Sequence, residues 1–359
     1  MRSLGDFFSR IVRVVLVLLG MSLSDVRAES PWSLQFSGTT ARLRGVSMVN
    51  PEVAWASGAE GTCLRTINGG LTWDHITVPE GDKLDFRDVH ASSADTACLL
   101  AIGAGEQSRI YRTTDAGATW TPTFINHNPQ GFLDAFAFWD KHHGIALGDP
   151  VDGRFMILTS EDGGLTWNPI PKEGMPQALP EEGAFAASGT CLVVQGNQNV
   201  WFGTGGGATT RVFRSSDRGR TWSVHETPLP ADSPTKGIFS LAFRDADHGI
   251  AVGGDYRETA KPAPYLIKTS DGGRTWRLPV TAPECTYRSA IAAPPGSKTP
   301  TWITVGPSGT EISLDDGTTW KPLNLLGYHA LDFRGSPHIG WAVGERGTIA
   351  KFDLNKFTP

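Results

Sequence analysis

Short apolar segments alternate with glycine-rich polar turns along nearly the whole chain. Seven of these segments end in glycine: WASG at Gly58, LAIG at Gly103, IALG at Gly148, VWFG at Gly203, AVGG at Gly253, ITVG at Gly306 and WAVG at Gly344. A second apolar segment precedes most of them, as in FRDVHAS, LDAFAFW, IFSLAF and HALDFR. Runs of this length between turn residues are typical of β-strands. The pattern therefore predicts an all-β protein with seven repeated units.

A turn of the form Ser/Thr-x-Asp/Asn-x-Gly-x-Thr-Trp occurs six times, for example as TSEDGGLTW, RSSDRGRTW and KTSDGGRTW. Its third position and its tryptophan are occupied by Asn68, Asp115, Asp162, Asp217, Asp271 and Asp315, and by Trp73, Trp120, Trp167, Trp222, Trp276 and Trp320. The Asp or Asn can accept backbone N–H groups of its own loop, the glycine can adopt a positive φ, and the tryptophan can pack beside a neighbouring sheet. We interpret all six turns as structural rather than catalytic.

Successive tryptophans of these turns are 47, 47, 55, 54 and 44 residues apart, a period typical of propeller blades. Each unit reads as a four-stranded antiparallel sheet. The seventh unit lacks its fourth strand, and PWSLQF at 31–36 looks like the strand that follows every repeated turn. The expected fold is a seven-bladed β-propeller over residues 29–359, with its last blade closed by the N-terminal strand so that no sheet edge is left free.

The repeated turns resemble the Asp-box (BNR) repeats of sialidases and of many non-enzymatic propellers. The longer pattern, with FRDV near the start of a unit, then DADHGIAVGG and TSDGGRTW, more closely resembles the photosystem II stability/assembly factor-like family over residues 30–355. This resemblance implies a seven-bladed propeller that holds a polypeptide partner while a membrane complex is assembled. It does not name the partner, because one such fold serves many activities.

The first 28 residues differ in kind from the rest. Arg2, Arg10 and Arg13 precede the apolar run VVLVLLGMSL, and Val26 and Ala28 fit a cleavage site before Glu29. This is the pattern of a secretory signal peptide. The alternative is a membrane anchor, but a spanning helix needs ~20 apolar residues. We expect an exported protein, periplasmic or secreted, with no membrane span after cleavage.

Charge excludes one class of partner. The chain has 42 Gly, 24 Pro and a net charge of −5. Without the four Arg and two Asp of residues 1–28 it keeps 28 basic and 35 acidic residues, a net charge of −7. No basic stripe is present to neutralise phosphates, so we expect no nucleic-acid partner.

The candidate binding residues come from the starts of the innermost strands, where propellers usually bind ligands. Aligning the units places Arg44, Arg87, Arg288 and His329 there, with Asp134 and Phe239 at the matching points of two other units. The loops that follow the seven glycines bring Asp149, Asp255 and Tyr256 to the same face. Guanidinium groups bind carboxylates and phosphates in a bidentate manner, so we predict a site for a carboxylate, a phosphate or an acidic peptide. The alternative is that these arginines pair with the protein's own acids, such as Asp88.

Signals for an enzyme are weak in this sequence. A sialidase needs an arginine triad and a Tyr–Glu nucleophile pair, and the best candidates are Tyr287 and Glu284 beside Arg288. The stretch FRDV differs from the motif that usually carries the first sialidase arginine, and no glycine-rich dinucleotide fingerprint is present. We therefore expect a non-catalytic, monomeric binding or assembly protein without a cofactor, and keep a glycan-active enzyme as the alternative.

The four cysteines, Cys63, Cys98, Cys191 and Cys285, have no spacing typical of a metal or haem site. No metal site is expected. Outside the cytoplasm they could form disulfides, and Cys63 and Cys98 lie in adjacent units where they could join. The alternative is that they are buried strand residues.

Overall fold

The computed structural model describes residues 30–279, 286–297 and 299–357. The predicted signal peptide and Cys285 lie outside these ranges. No helix within them is long and apolar enough to cross a membrane. The described residues form seven antiparallel sheets, which are the blades of a propeller.

The first three blades each contain four strands, numbered in chain order after the N-terminal strand β1 (Trp32–Gln35). Blade 1 contains β2 (Leu43–Met48), β3 (Ala54–Gly58), β4 (Cys63–Thr66) and β5 (Asp74–His75). Blade 2 contains β6 (Asp85–Ala91), β7 (Ala97–Ile102), β8 (Arg109–Thr113) and β9 (Thr121–Ile125). Blade 3 contains β10 (Leu133–Phe138), β11 (Gly144–Val151), β12 (Arg154–Ser160) and β13 (Asn168–Pro169).

The remaining blades continue the same order. Blade 4 contains β14 (Leu192–Gln195), β15 (Asn199–Gly203), β16 (Arg211–Ser215) and β17 (Ser223–Glu226). Blade 5 contains β18 (Lys236–Phe243), β19 (Gly249–Asp255) and β20 (Leu266–Thr269), and among the described residues its outer position holds a single bridge between Lys268 and Arg277. Blade 6 contains β21 (Ala290–Ala292), β22 (Trp302–Gly306), β23 (Gly309–Ser313) and β24 (Lys321–Asn324). Blade 7 contains β25 (Ala330–Asp332), β26 (Ile339–Val343) and β27 (Ile349–Asp353). Short 3-10 turns lie at Gly105–Gln107, Lys172–Gly174, Glu345–Gly347 and Leu354–Lys356.

The N-terminal strand completes the last blade, as the sequence predicted. Strand β1 pairs antiparallel with β27, with Trp32 opposite Phe352 and Gln35 opposite Ile349. The Trp32 ring stacks on Tyr328, with centroids 4.8 Å apart, and meets the edge of Phe352 at 4.8 Å. The predicted seven-bladed propeller is confirmed, and it closes through strands from the two ends of the described chain.

The innermost strands form a ring around a central channel. Each one contacts the next, in the order β2, β6, β10, β14, β18, β21, β25 and back to β2. Side chains of one inner strand accept backbone N–H groups of the following one. These bonds join Met48 N to Asp332 Oδ2 at 2.8 Å, Ala91 N to Ser47 Oγ at 2.8 Å, Phe136 N to Asp88 Oδ2 at 3.1 Å and Ile291 N to Ser240 Oγ at 3.0 Å. Edge N–H groups that no strand pairs are satisfied in this way.

The repeated turns are held by their own acidic side chains. In the turn of blade 5, Asp271 Oδ1 accepts the N–H groups of Arg274 at 3.0 Å and Thr275 at 2.9 Å, and Oδ2 accepts the Thr275 hydroxyl at 2.7 Å. Gly273 has a φ of +84° and lies against Trp201 of the preceding blade, so a Cβ there would come within 3.0 Å of the indole nitrogen. The turn therefore both closes the last hairpin of its own blade and packs on the preceding blade.

The disulfide considered between Cys63 and Cys98 is not formed, because both thiols are free and buried. Cys63 belongs to the apolar cluster that contains Trp55 and Phe86, whereas Cys98 belongs to the cluster that contains Phe136 and Trp167. The two side chains therefore lie in different apolar clusters. Burial raises the pKa of Cys98 to about 12, so that thiol stays protonated.

Deleting residues 31–36 should lower the free energy of unfolding by ~3–5 kcal/mol, comparable to removing a buried aromatic side chain. The deletion exposes an edge of blade 7 and removes Trp32 from Tyr328 and Phe352. Denaturant unfolding of the truncated and intact chains measures the difference. The control is Phe36→Ser, because Phe36 is 88% exposed and its loss should change stability little. A truncated chain as stable as the intact one would contradict closure by β1.

Replacing Asp271 with alanine should cost ~1–3 kcal/mol at pH 7, since two backbone donors lose their acceptor. Burial alone would raise the pKa of Asp271, but its hydrogen bonds from Thr275, Thr269 and Arg274 lower it to about 2. With an unfolded pKa of ~3.9, this contribution is complete above pH 4 and is lost as the pH falls from 4 towards 2.

Urea unfolding at pH 7 and pH 3 therefore tests both the size and the pH dependence of the Asp271→Ala effect. Asp271→Asn is the matched control, because Asn68 occupies the same position in the first turn and accepts the Thr72 N–H at 3.0 Å. We expect a smaller loss for Asn than for Ala. An equal loss for both substitutions would show that the acceptor oxygen is not what holds the turn.

Candidate functional site

A cavity of about 580 Å³ lies at the mouth of the channel where the inner strands begin. We call it the pore-mouth cavity. Six of the eight predicted binding residues line it: Arg44, Arg87, Asp134, Asp149, Tyr256 and His329. The structure thus brings together side chains from blades 1, 2, 3, 5 and 7.

A β-bulge directs several of these side chains into the cavity. In four blades the pairing of the inner strand with its neighbour skips one residue, and the skipped residues are Arg44, Arg87, Asp134 and Phe239. An extra residue in one strand is left out of the ladder and its side chain is redirected. Phe239 also lines the cavity. The bulge explains why the same place in the repeat carries such different side chains.

Three arginines form the basic side of the cavity: Arg42, Arg44 and Arg87. Arg87 Nε donates to Asp85 Oδ2 at 2.8 Å and its Nη1 donates to the Ala186 carbonyl at 2.6 Å. Arg42 lies 3.8 Å from the same Asp85 carboxylate. Arg44 makes no hydrogen bond or ion pair with any described residue, and its Nε is buried. Burial, followed by the charges of Arg87 and Arg42, lowers the pKa of Arg44 to about 10.

His329 is 6% exposed and reaches the loop that follows β26. Its Nε2 lies 2.8 Å from Glu345 Oε1. Burial and the neighbouring Arg44 charge lower the pKa of His329 below its ordinary value, although Glu345 acts in the opposite direction. At neutral pH the imidazole is therefore uncharged, and Arg44 is left as the charged group beside it.

Two carboxyl groups from blade 3, the neighbour of the blade that carries Arg87, also line the cavity. Asp134 is 1% exposed, and neither of its carboxylate oxygens has a hydrogen-bond partner among the described residues. Burial raises the pKa of Asp134 well above its ordinary value, and Asp149 raises it further. Burial also raises the pKa of Asp149 to about 6, although Oδ1 accepts the Ala184 N–H at 3.0 Å. Asp149 can therefore exchange a proton near neutral pH.

Aromatic rings form a third side. Phe185 stacks on Phe239, with centroids 4.1 Å apart, and Tyr256 lies 6.3 Å from Phe185. Tyr287 packs edge-on against Phe239 at 4.8 Å. The cavity therefore offers cationic, protonatable and aromatic surfaces to a single ligand.

Arg288 does not line the cavity, because the register of the inner strand in its blade differs by one residue from the predicted alignment. Gly306 lies against the Cα atom of Arg288, just as Gly58 lies against the Cα atom of Leu43. Ser289, not Arg288, therefore occupies the place of the bulged arginines. A shift of one residue turns a strand side chain to the other face.

The Arg288 guanidinium is instead satisfied by its surroundings. It is 4% exposed, and its Nε lies 3.2 Å from Glu311 Oε2. Its Nη1 donates to Ser308 Oγ at 2.9 Å, and the guanidinium carbon is 5.6 Å from the centre of the Tyr265 ring. This is the self-pairing that the sequence left open as the alternative for the arginines.

Asp255 also lies away from the pore-mouth cavity. Its Oδ1 accepts the Thr235 hydroxyl at 2.7 Å and the Arg257 N–H at 2.9 Å. Burial alone would raise the pKa of Asp255, but these bonds lower it overall. Tyr256, the residue that follows β19, does line the cavity, so only one of these two neighbouring candidates belongs to it.

The sequence did not predict two parts of the site. Arg42 precedes Arg44 by two positions, and that spacing could have indicated a shared face. The segment that supplies Phe185 lies between β13 and β14, where the distance between successive tryptophans rises from 47 to 55 residues. The excess length indicates an insertion, but nothing in the residues shows where it folds.

The fold and the site define a class: a closed seven-bladed β-propeller with a charged, aromatic-lined cavity at one mouth of its channel. Among its relatives is photosystem II assembly protein Ycf48 of Synechococcus sp., 21% identical over 327 residues, which are 89% of this chain and 84% of that protein. A solved structure of YCF48 bound to D1 peptide superposes with a TM-score of 0.64 at 16% identity, covering 90% of this chain and 97% of the other. The resemblance to the photosystem II assembly factors is confirmed.

A second group of relatives consists of enzymes. Xyloglucanase Xgh74A of Acetivibrio thermocellus is 24% identical over 246 residues, which are 60% of this chain and 28% of that enzyme. The chain thus spans less than a third of the xyloglucanases it matches. No protein-family model matches the chain.

Replacing Asp134 with asparagine should stabilise the protein at pH 7. A carboxyl with a raised folded pKa holds its proton while the unfolded group, with a pKa of ~3.9, has lost it, so stability falls as the pH rises above 4. The amide of the Asp134→Asn variant does not titrate and carries no such penalty. Thermal unfolding of both proteins from pH 4 to pH 8 should show a difference that grows with pH.

Asp255→Asn is the control for this measurement. The pKa of Asp255 is lowered, so the expected change in stability has the opposite sign. Its substitution should destabilise the protein at pH 7. If the Asp134→Asn variant melts below the unchanged chain at pH 7, then Asp134 is ionised and held by a partner, and the predicted sign is wrong.

Proposed function

We propose that this protein is a non-catalytic, extracytoplasmic binding or assembly factor that holds a polypeptide partner in the pore-mouth cavity. The observation that carries the proposal is Arg44, a buried guanidinium without a partner among the described residues, beside Arg42 and Arg87. Gathering like charges is unfavourable unless an anion neutralises them. A carboxylate on the partner would do so, with bidentate hydrogen bonds.

The relatives support a polypeptide as the ligand. A structure of similar fold contains YCF48 with a D1 peptide, and Ycf48 itself is a photosystem II assembly protein. By analogy, the partner of this protein is a polypeptide, such as a subunit of a membrane complex. The aromatic side of the cavity fits such a ligand better than it fits a small anion, because it offers apolar area beyond the charged groups.

The remaining features of the proposal come from the sequence. Residues 1–28 direct export, and the mature chain acts as a monomer in the periplasm or outside the cell. Two relatives, each 22% identical to this chain, are described as photosystem II assembly lipoprotein Ycf48. Mass measurement of the exported chain tests this part, since cleavage before Glu29 is expected.

A glycan-active enzyme is the second candidate, and one observation favours it. Asp134 and Asp149 are two carboxyl groups with raised pKa values in one cavity, and glycosidases use a pair of carboxyl groups as acid and base or nucleophile. Xyloglucan and a panel of chromogenic glycosides are the substrates to test. Turnover that Asp134→Asn abolishes would establish the enzyme and overturn the non-catalytic proposal.

The main proposal predicts that Arg44→Gln greatly weakens partner capture without destabilising the fold. The mature chain serves as bait in a membrane extract, and captured polypeptides are compared between the two baits. The melting temperature should stay the same or rise, because repulsion from Arg42 and Arg87 is relieved. Capture by the unchanged chain should also weaken between low and moderate salt, since charges are screened over ~10 Å at 0.1 M.

Arg288→Gln is the matched control for that experiment. It breaks a buried ion pair with Glu311, which typically costs ~3–5 kcal/mol, but it leaves the cavity intact. We expect a lower melting temperature and unchanged capture below that temperature. Capture that persists in the Arg44→Gln variant, or that is lost in the folded Arg288→Gln variant, would place the binding site elsewhere.

A further inference from the structure

One wall of the pore-mouth cavity is formed by a segment outside the strands, which includes Ala184, Phe185, Ala186 and Ala187. We call residues 182–187 the strap. At its start Glu182 is buried in an ion pair with Arg211, and its Oε1 accepts the Thr204 hydroxyl at 2.6 Å. Gly183 then exchanges two backbone hydrogen bonds with Gly205, at 3.0 and 3.1 Å. These contacts anchor one end of the strap to blade 4.

Beyond that anchor the strap binds the cavity through its backbone. Asp149 Oδ1 accepts the Ala184 N–H at 3.0 Å, and Arg87 Nη1 donates to the Ala186 carbonyl at 2.6 Å. Between these two residues, the Phe185 ring stacks on Phe239 at 4.1 Å. A carboxylate thus recognises an N–H, a guanidinium recognises a carbonyl two residues later, and an aromatic surface receives the side chain between them.

This is the pattern by which a protein binds an unrelated peptide: backbone hydrogen bonds give affinity and a pocket reads one side chain. Glu182 and Gly183 bind groups of blade 4. Ala184, Phe185 and Ala186 instead contact side chains of the cavity, those of Asp149, Phe239 and Arg87. The strap leaves Arg44 without a partner among the described residues, so a ligand with an anionic group could make a contact that the strap does not.

We propose that the strap is an internal pseudo-ligand, and that the partner is an extended polypeptide with an aromatic side chain that takes its place. The partner's N–H replaces that of Ala184 on Asp149, its carbonyl replaces that of Ala186 on Arg87, and its ring replaces Phe185 on Phe239. A carboxylate of the partner then reaches Arg44. This inference rests on the proposed function in assigning a polypeptide ligand to the cavity.

The test uses a synthetic peptide that copies residues 182–188, EGAFAAS, blocked at both ends and labelled for fluorescence polarisation. It is offered to the unchanged mature chain and to Phe185→Gly, in which the aromatic subsite is vacated. We expect at least about tenfold tighter binding to Phe185→Gly, equivalent to ~1.4 kcal/mol. A peptide in which alanine replaces the phenylalanine should lose this gain.

Phe36→Gly is the control protein. It also removes a phenylalanine ring, but that ring is 88% exposed and lies outside the cavity, so the peptide should gain nothing. Equal affinity for all three proteins, or binding to none of them, overturns the pseudo-ligand. Melting curves establish that each variant is folded.

Hydrogen exchange on the unchanged chain gives a second test that does not depend on a variant's folding. The Ala184 and Phe185 amides should exchange faster than the amides of β14 and β15, through local opening of the strap. If the strap amides exchange no faster than the amides of β14 and β15, the strap does not leave the site and the proposal is wrong.

The two proposals fail in different ways. If the peptide does not bind Phe185→Gly but Arg44→Gln still abolishes partner capture, the strap is structural and the proposed function stands. If the peptide binds as expected but no polypeptide is captured by either bait, the cavity recognises its own chain and the proposed function is wrong.

Discussion

The closed ring of inner strands is the constraint on which the rest of the molecule depends. Each inner strand would expose unpaired backbone groups to the channel, which is costly where water has little access. Part of that cost is removed by side chains that accept N–H groups of the next blade, namely those of Asp332, Ser47, Asp88 and Ser240. Because Asp332 lies in the last blade and bonds to Met48 in the first, these bonds also cross the place where the ring closes. Strand β1 reinforces the same blade from its outer edge.

Scaffold and site use different parts of the repeat. The turns with Asp271 and its equivalents lie in the last hairpin of six of the seven blades. They vary little in sequence, since each must make the same hydrogen bonds and pack on the preceding blade. The pore-mouth side chains vary from blade to blade, from arginine to aspartate to phenylalanine. The division explains how one fold can serve both the assembly proteins and the enzymes that this chain resembles.

The repeat made the fold predictable. The seven glycine-ending strands indicate the number of blades, the six turns mark the last hairpin of six of them, and the incomplete seventh unit together with residues 31–36 indicates how the ring closes. The repeat also made six of the eight candidate cavity residues predictable, since equivalent positions meet around a common axis. Arg288 was misplaced because YRSA and YHAL can be aligned on their tyrosines, whereas the register follows Gly306. The contribution of Phe185 could not be predicted at all. It depends on long-range contacts of an insertion with Asp149, Arg87 and Gly205, and no local pattern encodes them.

The bulge at the start of the inner strands has a consequence for how such proteins diversify. A bulged residue is outside the ladder, so its identity has little influence on how the blades pair. In this one chain the same structural position already tolerates a cation at Arg44 and Arg87, an acid at Asp134 and a ring at Phe239. A propeller of this kind therefore carries a set of exchangeable positions around its axis. Point substitutions at these positions can change which ligand the cavity binds without changing how the strands of the blades pair.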